Sequence, residues 1–158
     1  MTQPPQPDRP EMPDSFGVGD PNFEFKPIEW SSVVERVGAA RNYWIATTRP
    51  SGRPHSVPVW GVWADDAFHF LTDLGSLTAK NLDQNPAAVV HLESGDEVVL
   101  LFGEFERTGL DAAVLSAFND KYEMPPVAEG FPVYRLELSK VIAWGESDFP
   151  SNATRWRF

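Results

Sequence analysis

From Tyr43 to Trp144 apolar and polar positions alternate in short runs separated by Pro, Gly, Ser and Asp, the period-two pattern of half-buried strands. Tyr43 to Thr48 and Ser56 to Trp63 are rich in β-branched and aromatic residues and are joined through Pro50, Ser51 and Gly52, which predicts a hairpin. Pro58 has no N–H to give to a ladder, so its strand is expected at a sheet edge or a bulge. Asp65 and Asp66 turn the chain into a third strand in which Phe68, Phe70 and Thr72 share one face. Ala87 to Leu92 and Glu97 to Thr108 flank Ser94-Gly95-Asp96, a compact hairpin turn. A last long strand carries Tyr134, Leu136 and Leu138 on one face, Arg135 and Glu137 on the other, and runs on to Trp144.

Three segments show helical spacing instead. Ser32 with Glu35 reads as a capping box ahead of the stripe Val33, Val34, Val37 and Ala40. Ser76 caps a short helix from Leu77 to about Gln84, which must end before Pro86. Leu110, Val114, Leu115, Phe118 and Tyr122 mark a further amphipathic helix. The first 22 residues hold six prolines and few large apolar groups, so residues 1–22 are expected as a disordered tail and 23–158 as one domain. The fold class expected is mainly β (α+β): an antiparallel, six-stranded barrel with peripheral helices.

Composition narrows the chemistry. At 158 residues, 42% hydrophobic and 13% aromatic, the chain can bury a core without crosslinks, and the lack of cysteine excludes disulfides, thiolate nucleophiles and Cys-based zinc sites. No apolar run reaches the length of a membrane span and the amino terminus is Pro-rich, so no membrane association and a cytoplasmic location are expected. A net charge of −10 without a basic cluster speaks against nucleic-acid binding. His55, His69 and His91 sit on different strands without metal-ligand spacing, so no metal site is expected. No hydrolase elbow, dinucleotide fingerprint or phosphate-binding loop is present, and no residue is assigned a catalytic role.

Six tryptophans are many for one small core, and either interior packing or the wall of a pocket for a flat aromatic ligand accounts for them. The ending Thr154-Arg155-Trp156-Arg157-Phe158 alternates cations with large aromatics, which marks a segment that docks rather than frays.

Five stretches occur in a recognisable order: Tyr43-Trp44-Ile45-Ala46-Thr47-Thr48, Gly52-Arg53-Pro54-His55, Val57-Pro58-Val59-Trp60, Lys80-Asn81-Leu82 with Asn85-Pro86, and the Thr-Arg-Trp-Arg-Phe ending. Together they resemble the pyridoxamine 5'-phosphate oxidase-like split-barrel flavoproteins, particularly the branch of flavin- and deazaflavin-dependent reductases. The resemblance implies a split barrel, a homodimer with shared sites, a small-molecule substrate, and FMN or the deazaflavin coenzyme F-420 as hydride carrier. It places the cofactor ring beside Val57, Pro58, Val59 and Trp60 and its phosphate near Thr72, Ser76, Thr78, Lys80 and Asn81, with Arg155 and Trp156 as further cofactor-binding candidates. Relatives commonly carry an Arg-Lys pair where this chain has Leu77 and Thr78. That leaves Lys80, Arg53, Arg155 or a partner-subunit cation to replace the two charges. The competing reading is a non-catalytic barrel that stores or senses a flavin, a haem or a related planar molecule.

Overall fold

The computed structural model describes residues 4–109, 111–123 and 132–158. The elements, in chain order, are α1 (Trp30–Ala39), β1 (Tyr43–Thr48), β2 (Pro54–Val59), β3 (Gly61–Ala64), β4 (Ala67–Leu71), α2 (Leu77–Gln84), β5 (Ala87–His91), β6 (Glu97–Thr108), α3 (Ala112–Tyr122), β7 (Val133–Gly145) and β8 (Thr154–Arg157). All pairings are antiparallel, in the order β2-β1-β5-β6-β7-β4-β3, with β8 added to β7. Strands β2 and β3 stand at opposite ends of that order yet are joined by the single residue Trp60. The sheet therefore curls until its two ends meet there, which makes a split barrel.

The expected six strands become eight for two reasons. The run from Ser56 to Trp63 breaks at Trp60, because β2 pairs with β1 while β3 pairs with β4. Gly61 permits the crossing: a Cβ on it would lie 2.4 Å from the Phe68 ring and 2.9 Å from the His69 carbonyl oxygen. At the carboxyl end, Thr154–Arg157 pairs with Lys140–Ala143 of β7. Pro58 lies on the edge strand, as its missing N–H requires. Asp65 and Asp66 turn with φ of 48° and 58°, the left-handed pair that suits a tight hairpin.

Helix α2 starts as expected, with Ser76 Oγ accepting the Ala79 N–H at 3.1 Å. Helix α1 does not: it begins at Trp30, no side chain caps it, and the Ser32 N–H donates to the Glu29 carbonyl instead of serving a capping box. Packing overrides the local signal here, since the Trp30 ring meets Trp156 at 5.3 Å and Trp63 at 6.3 Å. Helix α3 is capped by Asp111, whose carboxylate accepts the Val114 N–H at 2.8 Å, and buries Val114, Phe118 and Tyr122; Leu110 lies outside the described residues.

The barrel core is built from Tyr43, Ile45, Phe68, Phe70, Leu101 and Leu136 with neighbours from α1, α2 and β8. A smaller cluster under α3 joins Val62, Val114, Phe118, Tyr122 and Val133. The Pro-rich stretch expected as a free tail is laid against the domain from residue 4: Asp8 bridges Arg155, and Val18 is buried.

Candidate functional site

Strand β2 positions the first group of expected residues. Val57, Pro58 and Val59 face Ile45, Trp44 and Tyr43 of β1, and among the described residues no strand pairs with the other side of β2. The peptide groups on that side are thus free to meet a ligand. Val57 and Val59 are half-buried and Pro58 is exposed. Trp60 follows with 43% of its surface exposed. Its ring stacks on Tyr122 at 4.7 Å and 10°, and Arg41 lies 5.6 Å from one ring and 5.7 Å from the other. The guanidinium thus lies close to both rings, and much of the indole surface stays exposed.

Helix α3 fixes this corner. The Tyr122 hydroxyl accepts the Gly61 N–H at 2.9 Å and has the carbonyls of Arg41 and Gly61 at 2.7 and 2.8 Å for its one proton. The Lys121 ammonium donates to Tyr43 Oη at 2.6 Å, to the Gly61 carbonyl at 3.1 Å and to the Gly38 carbonyl at 3.2 Å. Burial pulls the Lys121 pKa down to about 8 and pushes the Tyr43 and Tyr122 phenols up. Sequence patterning gave Tyr122 only a core role and Arg41 and Lys121 none. The adjacency of Lys121 to the last residue of an apolar stripe was the one available signal.

The second group surrounds the start of α2. Thr72 donates to Ser76 Oγ at 3.0 Å, so these two residues are together. Thr78 and Asn81 are buried, and Asn81 Nδ2 donates to Thr47 Oγ1 at 3.0 Å, tying α2 to β1. Asn81 Oδ1 is buried and has no hydrogen-bond partner among the described residues. Lys80 is exposed. Leu74 and Leu77 are 49% and 39% exposed, and the Asp73 carboxylate accepts the Gly75 N–H at 2.6 Å. An anion at this helix start would meet one lysine, two leucines and a carboxylate, so the corner fits a flat ring better than this helix fits its phosphate.

The third group lies elsewhere. Side chains alternate along β8, so Trp156 points into the core against Trp30 while Arg155 points out and is held by Asp8. Trp156 shares the core cluster with Ala79 and Leu82 of α2, while Arg155 is taken up by Asp8. Among the described residues no three His, Cys, Asp or Glu side chains are grouped to hold a metal ion. His69 is buried on β4, and burial together with Arg135 lowers its pKa and keeps it neutral, while His91 stacks on Trp44.

This geometry has relatives. An FMN-binding, pyridoxamine 5'-phosphate oxidase-related protein from Nostoc punctiforme is similar over 78% of this chain and 82% of its own, with a TM-score of 0.56 and 18% identity. An F-420 reductase is similar over 73% of this chain and 98% of its own, with a TM-score of 0.58 and 22% identity. A haem-binding protein from Mycobacterium smegmatis is similar over 76% of this chain and 56% of its own, with a TM-score of 0.61 and 21% identity. Among curated proteins none matches the sequence. The sequence model described as pyridoxamine 5'-phosphate oxidase matches residues 31–145, a span that runs from α1 to the end of β7 and holds both β2 and α2. With that span covering most of the chain, the protein belongs to the pyridoxamine 5'-phosphate oxidase family.

Proposed function

We propose that the protein is an oxidoreductase that binds FMN or the deazaflavin coenzyme F-420 along β2 and passes a hydride to or from a small conjugated substrate. The observation that carries this reading is the edge side of Val57–Val59, unpaired among the described residues and ending in the exposed indole of Trp60, inside the span that matches the family. Free peptide groups can hydrogen-bond the polar rim of a flat ring without adding charge, and an indole face offers stacking area at low entropy cost. A bound ring of this kind supplies the hydride chemistry. The chain's own part is to orient the ring on β2, to exclude water with Trp60, and to hold the strand end still through Tyr122 and Lys121. Two copies of the chain form the working unit, with the half-buried outer face of the sheet between them.

Side-by-side titrations of the purified protein with FMN, riboflavin, F-420 and haem test the reading by absorbance and fluorescence. Saturable binding of a flavin or of F-420 with a shifted ring spectrum is expected. No response to either ring system overturns it. The exposed leucines at the start of α2 favour one second reading, a non-catalytic haem- or flavin-binding barrel. Saturable haem binding with no hydride transfer from reduced flavin or F-420 would assign that role instead.

A further inference from the structure

We propose that Arg155, Arg157 and Lys140 form a phosphoryl-binding site on the outer face of β7 and β8, and that Asp8 fills it as an internal substitute for the ligand.

The placement of charge is the starting point. In a chain of net charge −10, Lys140 and Arg157 stand directly opposite each other across β7 and β8, and Arg155 lies two residues from Arg157 on the same face. Like charges facing each other across a sheet are unfavourable, and Arg157, with 59% of its side chain exposed, adds little packing to offset them. A bound oxyanion turns that repulsion into attraction.

Asp8 shows the geometry such an anion takes. Its two carboxylate oxygens meet Arg155 Nε at 2.8 Å and Nη2 at 2.9 Å, a fork-to-fork pair, and Arg157 Nη1 lies 3.2 Å away. The Arg155 guanidinium holds the Asp8 carboxyl below its usual pKa, so the anion persists at neutral pH. The strap carrying Asp8 is held at one bridge: Asp8 and Arg155 exchange backbone bonds of 2.8 and 2.7 Å. Pro10, two residues on, lacks the N–H that would extend the ladder in that direction. The Asp8 side chain can therefore leave the arginines without breaking a strand pairing of the barrel.

The charges do not balance with Asp8 in place. Two arginines meet one carboxylate, Lys140 stands opposite Arg157 on the neighbouring strand, and Glu11 adds only a weaker attraction on Arg155. Lys140 has no carboxylate partner among the described residues; its ammonium lies 4.1 Å over the Phe102 ring. A phosphate monoester carries close to two negative charges near neutral pH and so matches this surplus better than a carboxylate does. Beside Lys140, on the face proposed to lie between two copies, a groove of about 450 Å³ is lined by Ala46, Ala87, Gly103 and Ser139 among others, and a small phosphorylated molecule held there would sit at the edge of that contact. The site needs no flavin to be tested, and it stands or falls apart from the proposed redox role.

Calorimetry of the full chain with inorganic phosphate, at fixed ionic strength, is the direct experiment. Asp8→Asn keeps the shape of the strap and removes its charge, and should tighten phosphate binding by about tenfold, the scale of one charge-assisted contact. Arg157→Ala or Lys140→Ala in that background should remove the gain; both side chains lie outside the core, so the fold is kept. Residues 4–7 line a cavity with Trp30 and Trp156, so phosphate should also shift tryptophan emission in the unaltered chain. Equal phosphate affinity in the unaltered chain, Asp8→Asn and the double variants overturns the proposal and leaves Asp8 as a structural strap. A companion comparison of FMN with riboflavin separates the sources of the phosphoryl group. A gain in Asp8→Asn for FMN over riboflavin names the flavin's own phosphate, and a gain for free phosphate alone names a separate ligand.

Discussion

Tyr122 reaches Gly61 with a single hydroxyl, and that contact sets how the barrel closes. Removing the oxygen in Tyr122→Phe leaves the Gly61 N–H buried without its acceptor, which should cost about 1 to 3 kcal/mol in urea unfolding. The phenyl ring still stacks under Trp60, so a loss of flavin affinity in this variant measures the placement of β2 rather than the stacking. The same titration in Trp60→Ala measures the stacking. Lys121 makes a different prediction. Its pKa is about 8 in the fold against 10.5 for the ordinary side chain, so between those values the unfolded chain binds more protons than the folded one. Stability should therefore rise from pH 8 towards pH 10. Above that the raised Tyr43 and Tyr122 phenols act in the opposite sense, because the unfolded phenols ionise first. Lys121→Met should flatten the rise between pH 8 and 10, read from urea midpoints. An unchanged slope would place its origin elsewhere.

At the scale of elements, what the sequence made legible was the short-range chemistry. The Pro50-Ser51-Gly52 turn, the Ser76 cap and the edge position of Pro58 all follow from groups within a few residues of one another, and all are present. The break at Trp60 was not legible, because it depends on Gly61 lying against Phe68 and on Tyr122, which comes 61 residues later in the chain. The start of α1 was misplaced for a related reason: Trp30 is helical through rings on β3 and β8 that no local window contains. For the candidate site, the residue types on β2 were readable and their surroundings were not. Helix α2 shows the consequence for design. Leu77 is exposed and Thr78 is buried, so a cation is tolerated at the first position and would be forced out of water at the second. Leu77→Arg alone should tighten FMN about two- to fivefold over riboflavin, the scale of an exposed ion pair, and should lose that gain in high salt. Equal affinities for FMN and riboflavin in both chains would remove the helix start from the phosphate's path.

At the scale of the whole molecule, one face of the sheet carries an apolar surface that is only half-buried. Residues paired in register share a face, so Trp44, His91, Leu100, Ile142 and Arg155 form one row across the sheet, and Ala46, Val89, Phe102, Lys140 and Arg157 form the next. The first four members of the first row are only half-buried, as are Ala46, Val89 and Phe102 in the second. A contiguous apolar face of this kind is unusual on a monomer and is the common mark of an interface. Its edge carries the cations of β8, so the apolar centre has a charged rim, as paired copies usually arrange it. The chain should therefore scatter light as twice its 17.7 kDa mass at micromolar concentration. Leu100 lies in the middle of the first row, between His91 and Ile142. Leu100→Glu would place a carboxylate from each copy in the apolar centre of such a contact, and burying an unpaired charge there costs several kcal/mol, of the order of what the pairing can return. The variant should run as a monomer in light scattering while its circular dichroism keeps the strand content of the parent. A Leu100→Glu protein that remains a dimer would show that the copies meet through another face, and the shared-site arrangement along β2 would have to be rebuilt around that face.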